Sequence, residues 1–248
     1  MNISTAVATS RLIAQQHAMD VTASNLANLS TPGYKVAHVQ FSDWLSRQAS
    51  VAAAPGGETI AYTQDRATWR DRRTGALNQT GNPLDLAISG DGYFTVETPQ
   101  GPRLTRAGRF NLTTDGTIAD EAGHKLLDLN GRPIQLSTTD TRITIAADGA
   151  LRGQTGQIAQ IGIVRPQDPA QMQPEGGELF RADVPTEAVA RPAIVQGALE
   201  SSNVEPVLET TRMMRELREF QFVSQLVQTE ADRQQSAIDG LLRQRVQV

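Results

Sequence analysis

The sequence predicts an α+β fold in which N- and C-terminal helices form an antiparallel coiled coil around a central all-β domain, sandwich-like or barrel-like. Three observations carry this expectation. A four-three apolar rhythm runs without a break through the C-terminal segment, and a weaker one occupies the first 29 residues. Between them, short β-prone runs alternate with Asx-Gly pairs. The expected partition is residues 1–34 with 198–248 as the terminal helical domain, 35–79 as an extended connector, and 80–197 as the central β domain.

The N-terminal helix is expected from about Ser4 to Leu29, a stretch without proline or glycine. Leu12, Gln16, Met19, Ala23 and Leu26 form its seam, weakened by the polar Gln16 and the small Ala23. It ends at a corner, Asn25-Leu26-Ala27-Asn28-Leu29-Ser30-Thr31-Pro32-Gly33-Tyr34-Lys35. A residue before proline is pushed out of the α region, so Thr31 is expected extended and the helix to stop near Leu29 or Ser30. Pro32 fits the second position of a tight turn and Gly33 the third, where a positive φ is wanted. Asn25 and Asn28 sit three apart and point the same way. That pairing reads either as a helix stop capped by Asn28 or as a corner that docks on another chain.

From Lys35 to about Ser50 the chain is expected to be extended, anchored by Val39, Phe41 and Trp44; Val51 to Gly57 reads as a linker. Beyond Ile60 the pattern turns strand-like. Leu84–Ile88, Tyr93–Val96, Phe110–Leu112, Lys125–Leu129, Pro133–Leu136, Arg142–Ile145 and Ile158–Val164 are the expected strands, with shorter ones near Leu179-Phe180 and Ala193–Val195. Asp91-Gly92, Asp115-Gly116, Asn130-Gly131 and Asp148-Gly149 are the expected hairpin turns.

The C-terminal helix has the strongest pattern. Ser202-Asn203-Val204-Glu205 matches a capping box, with Pro206 in the first turn. Met213, Leu217, Phe220, Ser224, Val227, Ala231, Gln234, Ile238 and Leu241 then form the seam. One such seam is too thin to order a helix of this length alone. The N-terminal helix is the partner within the chain, and Val223, Leu226 and Leu242, off the main seam, are left for copies of the same chain.

Composition excludes several classes. The net charge of −4 gives no basic field for nucleic acid, and the absence of cysteine removes disulfides and thiolate chemistry. There is no apolar run of about 18 residues to span a membrane. The start has neither the basic nor the apolar region of a cleaved secretory signal. His17, His38 and His124 are scattered, Gly90-Asp91-Gly92 lacks the third glycine of a dinucleotide loop, and Asp128-Leu129-Asn130-Gly131 lacks the later ligands of a calcium loop. Arg66, Arg70, Arg72 and Arg73 around Trp69 are the one basic cluster; arginine with tryptophan could bind nucleic acid, but with Asp65 and Asp71 interleaved the cluster reads rather as a subunit contact or solvated edge. No catalytic, cofactor or metal residues are expected.

Four stretches, in this order, resemble the flagellar rod and hook proteins. They are the corner Asn25–Lys35, the run Thr80–Phe94, Thr105-Arg106-Ala107-Gly108-Arg109-Phe110 with Asp115-Gly116, and Gly197–Val204. Arg218-Glu219-Phe220-Gln221 and the short Ser50–Ile60 linker resemble the proximal rod members rather than the distal rod or hook paralogues. The resemblance implies a non-enzymatic subunit exported by the flagellar type III apparatus without a cleaved signal. It implies helical self-assembly, with other rod subunits as neighbours, into a hollow periplasmic shaft that transmits torque and leaves an export channel. Terminal helices would line the tube and the β domain would lie outside. Leu12, Met19, Leu26, Asn25, Asn28, Pro32, Gly33 and Tyr34 would then be subunit contacts, with Met213, Leu217, Phe220, Val227, Ile238 and Leu241. The residues alone leave another class open: a β-rich ligand-binding module or hydrolase with a coiled-coil tail, its pocket built from Asp85, Asp91, Arg106 and Arg109, unless Asp85 and Arg106 form a packing or inter-subunit pair.

Overall fold

The computed structural model describes residues 3–48, 58–137, 143–154, 156–176 and 178–246. The fold is α+β: one helix near each end and a largely β region between them. The expected linker at Val51–Gly57 lies outside the described residues, as do the side chains of Phe41, Trp44, Ile238, Leu241 and Leu242. The chain divides into two compact units. The first holds residues 1–27, 37–71 and 205–248, the second residues 28–36 and 72–204. Residues 28–34 and 198–204, grouped from sequence with the terminal helices, are in the second unit.

In the first unit, helix α1 (Ile3–Ala27) and helix α2 (Pro206–Val246) run antiparallel. Gln15 meets Glu219, Thr22 meets Glu216 and Asn25 meets Glu209, descending in α2 as they ascend in α1. Strands β1 (Ala37–Gln48) and β2 (Glu58–Arg70) pair antiparallel from Ala37↔Arg70 to Gln48↔Glu58, with a bulge between Gln40 and Phe41. The expected connector is therefore, over most of its length, a long hairpin. Its pairing was hidden because the two strands are joined by the linker and neither shows a clean alternation.

Both helices bury a stripe displaced from the expected seam. On α1 the buried residues are Ala14, Gln15, Ala18, Thr22 and Asn25, while Gln16 and Ala23 are exposed. On α2, Glu209 and Val223 are buried and Met213, Glu216, Phe220 and Val227 half-buried, whereas Leu217 and Ser224 are exposed. A template that scores apolar residues passes over buried positions whose polar groups satisfy one another. The expected capping box is also corrected. Helix α2 starts at Pro206, and the Glu209 N–H donates to the Glu205 carbonyl at 3.0 Å, so Glu205 is the cap and Pro206 the first helical residue. The Ser202 hydroxyl accepts only from Val204 N–H, at 3.3 Å.

The second unit is built from antiparallel strands. In chain order they are β3 (Leu77–Gln79), β4 (Leu86–Ile88), β5 (Tyr93–Thr98), β6 (Gly101–Thr105), β7 (Phe110–Leu112), β8 (Ile118–Asp120) and β9 (Lys125–Leu126). Then come β10 (Thr144–Ile145), β11 (Ala150–Gly153), β12 (Gly156–Gln160), β13 (Ile163–Pro166), β14 (Met172–Glu175), β15 (Leu179–Ala182), β16 (Thr186–Ala188), β17 (Ile194–Gln196) and β18 (Ala198–Glu200). The main sheet runs β14-β15-β6-β5-β9-β8-β7, with β13 on β5 and β16 on β13. Strand β17 pairs β4, β18 pairs β3, and β10-β11-β12 form a separate sheet. Pro133–Leu136, expected as a strand, makes only isolated bridges, Leu127↔Pro133 and Thr117↔Gln135.

Strand alternation places Phe94 and Val96 in a core with Leu86, Ile88, Phe110, Ile118, Leu126, Leu151, Ile161 and Ile163. Phe94 and Phe110 meet edge-on at 5.5 Å. Tyr93, on the opposite face of β5, packs with Leu104 and Phe180. Three of the four Asx-Gly pairs sit in reversals: Gly116 (φ 79°) between β7 and β8, Gly149 (φ 87°) between β10 and β11, and Gly131 (φ 75°) inside the Leu127↔Pro133 bridge. Asp91-Gly92 does not close a hairpin, because β4 pairs with β17 and β5 with β6, β9 and β13. Gly92 is needed there for space, since a Cβ would stand 2.6 Å from an Ile163 methyl.

Candidate functional site

Two features hold the sequence-predicted residues. One is the corner and the buried cluster beneath it in the second unit. The other is the face of the helix pair in the first.

At the corner, the Tyr34 N–H donates to the Thr31 carbonyl at 3.3 Å and Gly33 has φ 76°. Pro32 and Gly33 thus hold the two central positions of the expected turn. Helix α1 stops at Ala27, short of the expected Leu29 or Ser30, and Asn28 follows as the cap residue, its side-chain oxygen accepting from the Thr31 hydroxyl at 3.0 Å. Asn25 and Asn28 part company. Asn25 is fully buried and grips Ala37 from both sides: its Nδ2 donates to the Ala37 carbonyl at 2.8 Å and its Oδ1 accepts from the Ala37 N–H at 2.9 Å. The Asn25 amide also donates to Glu209 at 3.1 Å. An amide that mimics a strand partner explains why asparagine stands here.

Below the corner lies a charged cluster of Lys35, Arg106 and Glu200, each no more than 4% exposed. The Glu200 carboxylate accepts from the Lys35 ammonium, from Arg106 Nη1 at 3.1 Å and from the Gly75 N–H at 3.0 Å. Its backbone carbonyl accepts from the Gly33 N–H at 2.7 Å. Lys35 donates also to the Arg73 carbonyl at 2.8 Å, and Arg106 to the carbonyls of Ile88 at 3.2 Å and Gly90 at 2.5 Å. Arg106 stands over the Tyr93 ring at 5.4 Å, and burial raises the Tyr93 pKa above its usual value despite the opposing Arg106 charge. Asn203 completes the cluster, accepting from Val36 N–H at 2.7 Å and donating to the Arg73 carbonyl at 3.1 Å. Two cations and one carboxylate taken out of water are held by directed bonds on nearly every polar atom, the arrangement that makes buried charge tolerable.

The pocket imagined around Asp85, Asp91, Arg106 and Arg109 does not form from these residues. Asp85 binds the Thr80 hydroxyl at 2.6 Å and the Asn82 amide at 3.0 Å, and Arg109 reaches Glu121 at 3.2 Å. Arg106 pairs with Glu200 at 3.1 Å, so the expected packing pair of Asp85 with Arg106 within the chain is corrected. Nothing in sequence spacing joins positions 35, 106 and 200; the one signal is that all three lie in the motif stretches.

On the helix pair, the carboxylates of Glu209, Glu216 and Glu219 face uncharged donors on α1: Asn25, Thr22 at 3.0 Å and Gln15 at 3.3 Å. Arg212 also binds Glu209, at 2.8 Å. The Glu216 pKa is raised, chiefly by burial and further by Glu209, against the Thr22 bond and the charges of Arg212 and Arg215. Away from this face, α2 exposes large apolar side chains: Val207, Leu208, Met214, Leu217, Phe222 and Leu226. Phe222 and Leu226, 70% and 56% exposed, border a groove with Val223 and with Val7 and Ala8 of α1, flanked by Arg11, Gln15, Arg218 and Glu219. Leu12, Met19, Leu26, Met213, Phe220 and Val227 are half-buried, and Pro32 likewise, while Gly33 and Tyr34 are buried. Trp69 is half-exposed, with the His38 ring against it at 4.7 Å and tilted by 39°. No helix among the described residues is long and apolar enough to cross a membrane.

Three family descriptions match these features. Residues 6–35 match the flagella basal body rod protein family, 87–153 the flagellar hook protein FlgE/F/G D1 domain, and 195–240 the flagellar basal body rod FlgEFG protein C-terminal family. The corner and the Glu200 end of the cluster fall in the first and third, Arg106 in the second. The chain belongs to the flagellar basal-body rod protein family, and is by that membership a structural rod subunit. Within the family it is most like the members described as flagellar basal-body rod protein FlgF. It is 34% identical to the one from Mesorhizobium japonicum, over 95% of this chain and 96% of that protein. It is 31% identical to the one from Caulobacter vibrioides, with the same coverage. The flagellar basal-body rod protein FlgG of Bacillus subtilis is 32% identical over 86% of this chain and 89% of that protein.

Proposed function

We propose that the chain is a proximal rod subunit, assembling helically with copies of itself and with other rod subunits into a hollow periplasmic shaft that carries torque and leaves a channel for export. The observation that carries this reading is the reversal of polarity on α2. Beside Val223, its contact with α1 carries the carboxylates of Glu209, Glu216 and Glu219, while its most exposed large apolar side chains, Val207, Leu208, Met214, Phe222 and Leu226, are left open to solvent. A monomer gains nothing from presenting Phe222 and Leu226 to water, whereas a subunit buries them against a neighbour. On this reading α1 and α2 form an antiparallel coiled coil, residues 1–34 with 198–248 act as the inner-tube domain, 35–79 connect it outward, and the β domain of 80–197 closes in a sandwich- or barrel-like form outside. Leu12, Met19, Leu26, Met213, Leu217, Phe220, Val227, Ile238 and Leu241, with the corner from Asn25 and Asn28 to Pro32, Gly33 and Tyr34, are its subunit contacts. Delivery is by the flagellar export apparatus, with no nucleic acid, membrane insertion, cofactor or chemical reaction involved.

The test is complementation of a strain lacking the gene. Basal bodies purified from complemented cells should contain the chain in the rod, labelled at its inner-membrane end. A chain that stays in the cytoplasm, or labels only the outer end of the rod, contradicts the assignment.

A further inference from the structure

The polypeptide enters or leaves the second unit at four places: between residues 27 and 28, 36 and 37, 71 and 72, and 204 and 205. Segments within a few residues of each crossing meet at the Glu200 cluster. Gly33 binds the Glu200 carbonyl, Asn203 N–H donates to the Tyr34 carbonyl at 3.4 Å, and Val36 N–H binds the Asn203 side chain. The Arg73 carbonyl accepts from both Lys35 and Asn203. A Cβ on Gly33 or on Gly75 would collide with backbone, at Arg106 and at Ser201 respectively, so these segments lie in direct backbone contact.

We propose that Glu200 is a positioning residue that ties these four crossings into one rigid node, so that a twist applied to any of them is shared by all. The Glu200 carboxylate joins segments from three distant parts of the chain, through Lys35, Gly75 and Arg106. Four backbone strands anchored together resist torsion as a bundle, where four separate linkers would swivel independently. The proposal rests on the rod reading for the source of the twist, but the node itself is a property of the isolated chain.

The test is amide hydrogen exchange on the full-length chain and on Glu200→Gln, which keeps the shape and removes the charge, leaving Lys35 and Arg106 without their anion. The Gly33, Val36 and Asn203 amides should exchange faster by about tenfold or more, while Val96 and Ile118 in the main sheet keep their protection. The Lys35→Gln/Glu200→Gln double variant should exchange more slowly than Glu200→Gln, because one stranded cation is gone. Unchanged exchange at the three amides, or equal loss across the main sheet, overturns the node. In cells, Glu200→Gln rods should turn normally at low load and slow in viscous medium, with Glu200→Asp recovering part of the loss. Wild-type speed at every load overturns the mechanical role. Absence of even the wild-type chain from basal bodies would instead strike the rod assignment.

Discussion

Gly33 lies against the backbone of Arg106: a Cβ on Gly33 would stand 2.5 Å from the Arg106 carbonyl carbon and 2.6 Å from the Ala107 nitrogen. The turn glycine of the N-terminal corner is therefore also a packing surface for a motif about 70 residues further on. At φ 76° the position is strained for an L-residue even in open space.

Gly33→Ala should consequently cost more than either effect alone, about 3 kcal/mol or more, since neither the turn nor the Arg106 backbone can yield cheaply. Chemical denaturation read by near-UV signals of the β unit checks this. A loss below about 1 kcal/mol would mean that the two backbones slide apart without penalty.

Asn25→Ala should free the Ala37 N–H and carbonyl together and leave Glu209 without one of its donors. The expected loss is about 2–4 kcal/mol in the unfolding of the helical unit. Asn25→Asp should be worse than its isosteric shape implies, because a second carboxylate would then stand 3.1 Å from Glu209 where an amide donor was. Exchange of the Ala37 amide reports both.

Glu216 sets a pH dependence of the helix pair. Its folded pKa lies above the ordinary glutamate value, chiefly through burial. Such a group favours the folded state fully below its unfolded pKa, and that contribution fades as pH rises through the folded value. Acidifying from neutral into the range between those two values should therefore tighten the α1–α2 pair through this residue. Glu216→Gln should keep the acceptor for Thr22 and flatten that part of the profile. Thermal unfolding of both chains across mildly acidic pH decides it; an unchanged slope in Glu216→Gln would place the titration elsewhere.

Tyr93 should ionise only above the usual tyrosine range, since burial dominates over the nearby Arg106 charge. Arg106→Gln should raise its pKa further, because it removes the larger of the two charges, Arg106 and Arg72, that lower it. Ultraviolet titration of the phenolate, with Tyr34 and Tyr62 replaced by phenylalanine, measures both.

How much of this was legible in sequence follows from the range of each interaction. The corner was readable because Pro32 and Gly33 dictate their own backbone. The strands near Phe94, Phe110 and Phe180 were readable from local β propensity, and the turns at Gly116, Gly131 and Gly149 from their Asx-Gly pairs. Asp91-Gly92 misled because its glycine serves the Ile163 contact rather than a hairpin. The Ser202 capping box misled because Asn203 is drawn off to Val36 and Arg73, leaving Pro206 to start the helix. The seam of α2 fell beside the buried stripe because Glu209 and Glu216 are satisfied by Asn25 and Thr22, partners no apolar periodicity can announce. The Lys35–Arg106–Glu200 cluster was out of reach for the same reason: its members are distant in sequence and charged, a composition that reads as surface until the fold brings them together.

The most direct test of the account is the outward face of α2. Phe222→Asp and Leu226→Asp alter exposed side chains, so the purified variants should unfold within about 0.5 kcal/mol of the wild type. In cells lacking the native chain, the same variants should be absent from purified rods and leave the cells non-motile. Variants that fold normally and still build complete, turning rods would contradict the claim that this face is covered by neighbouring subunits.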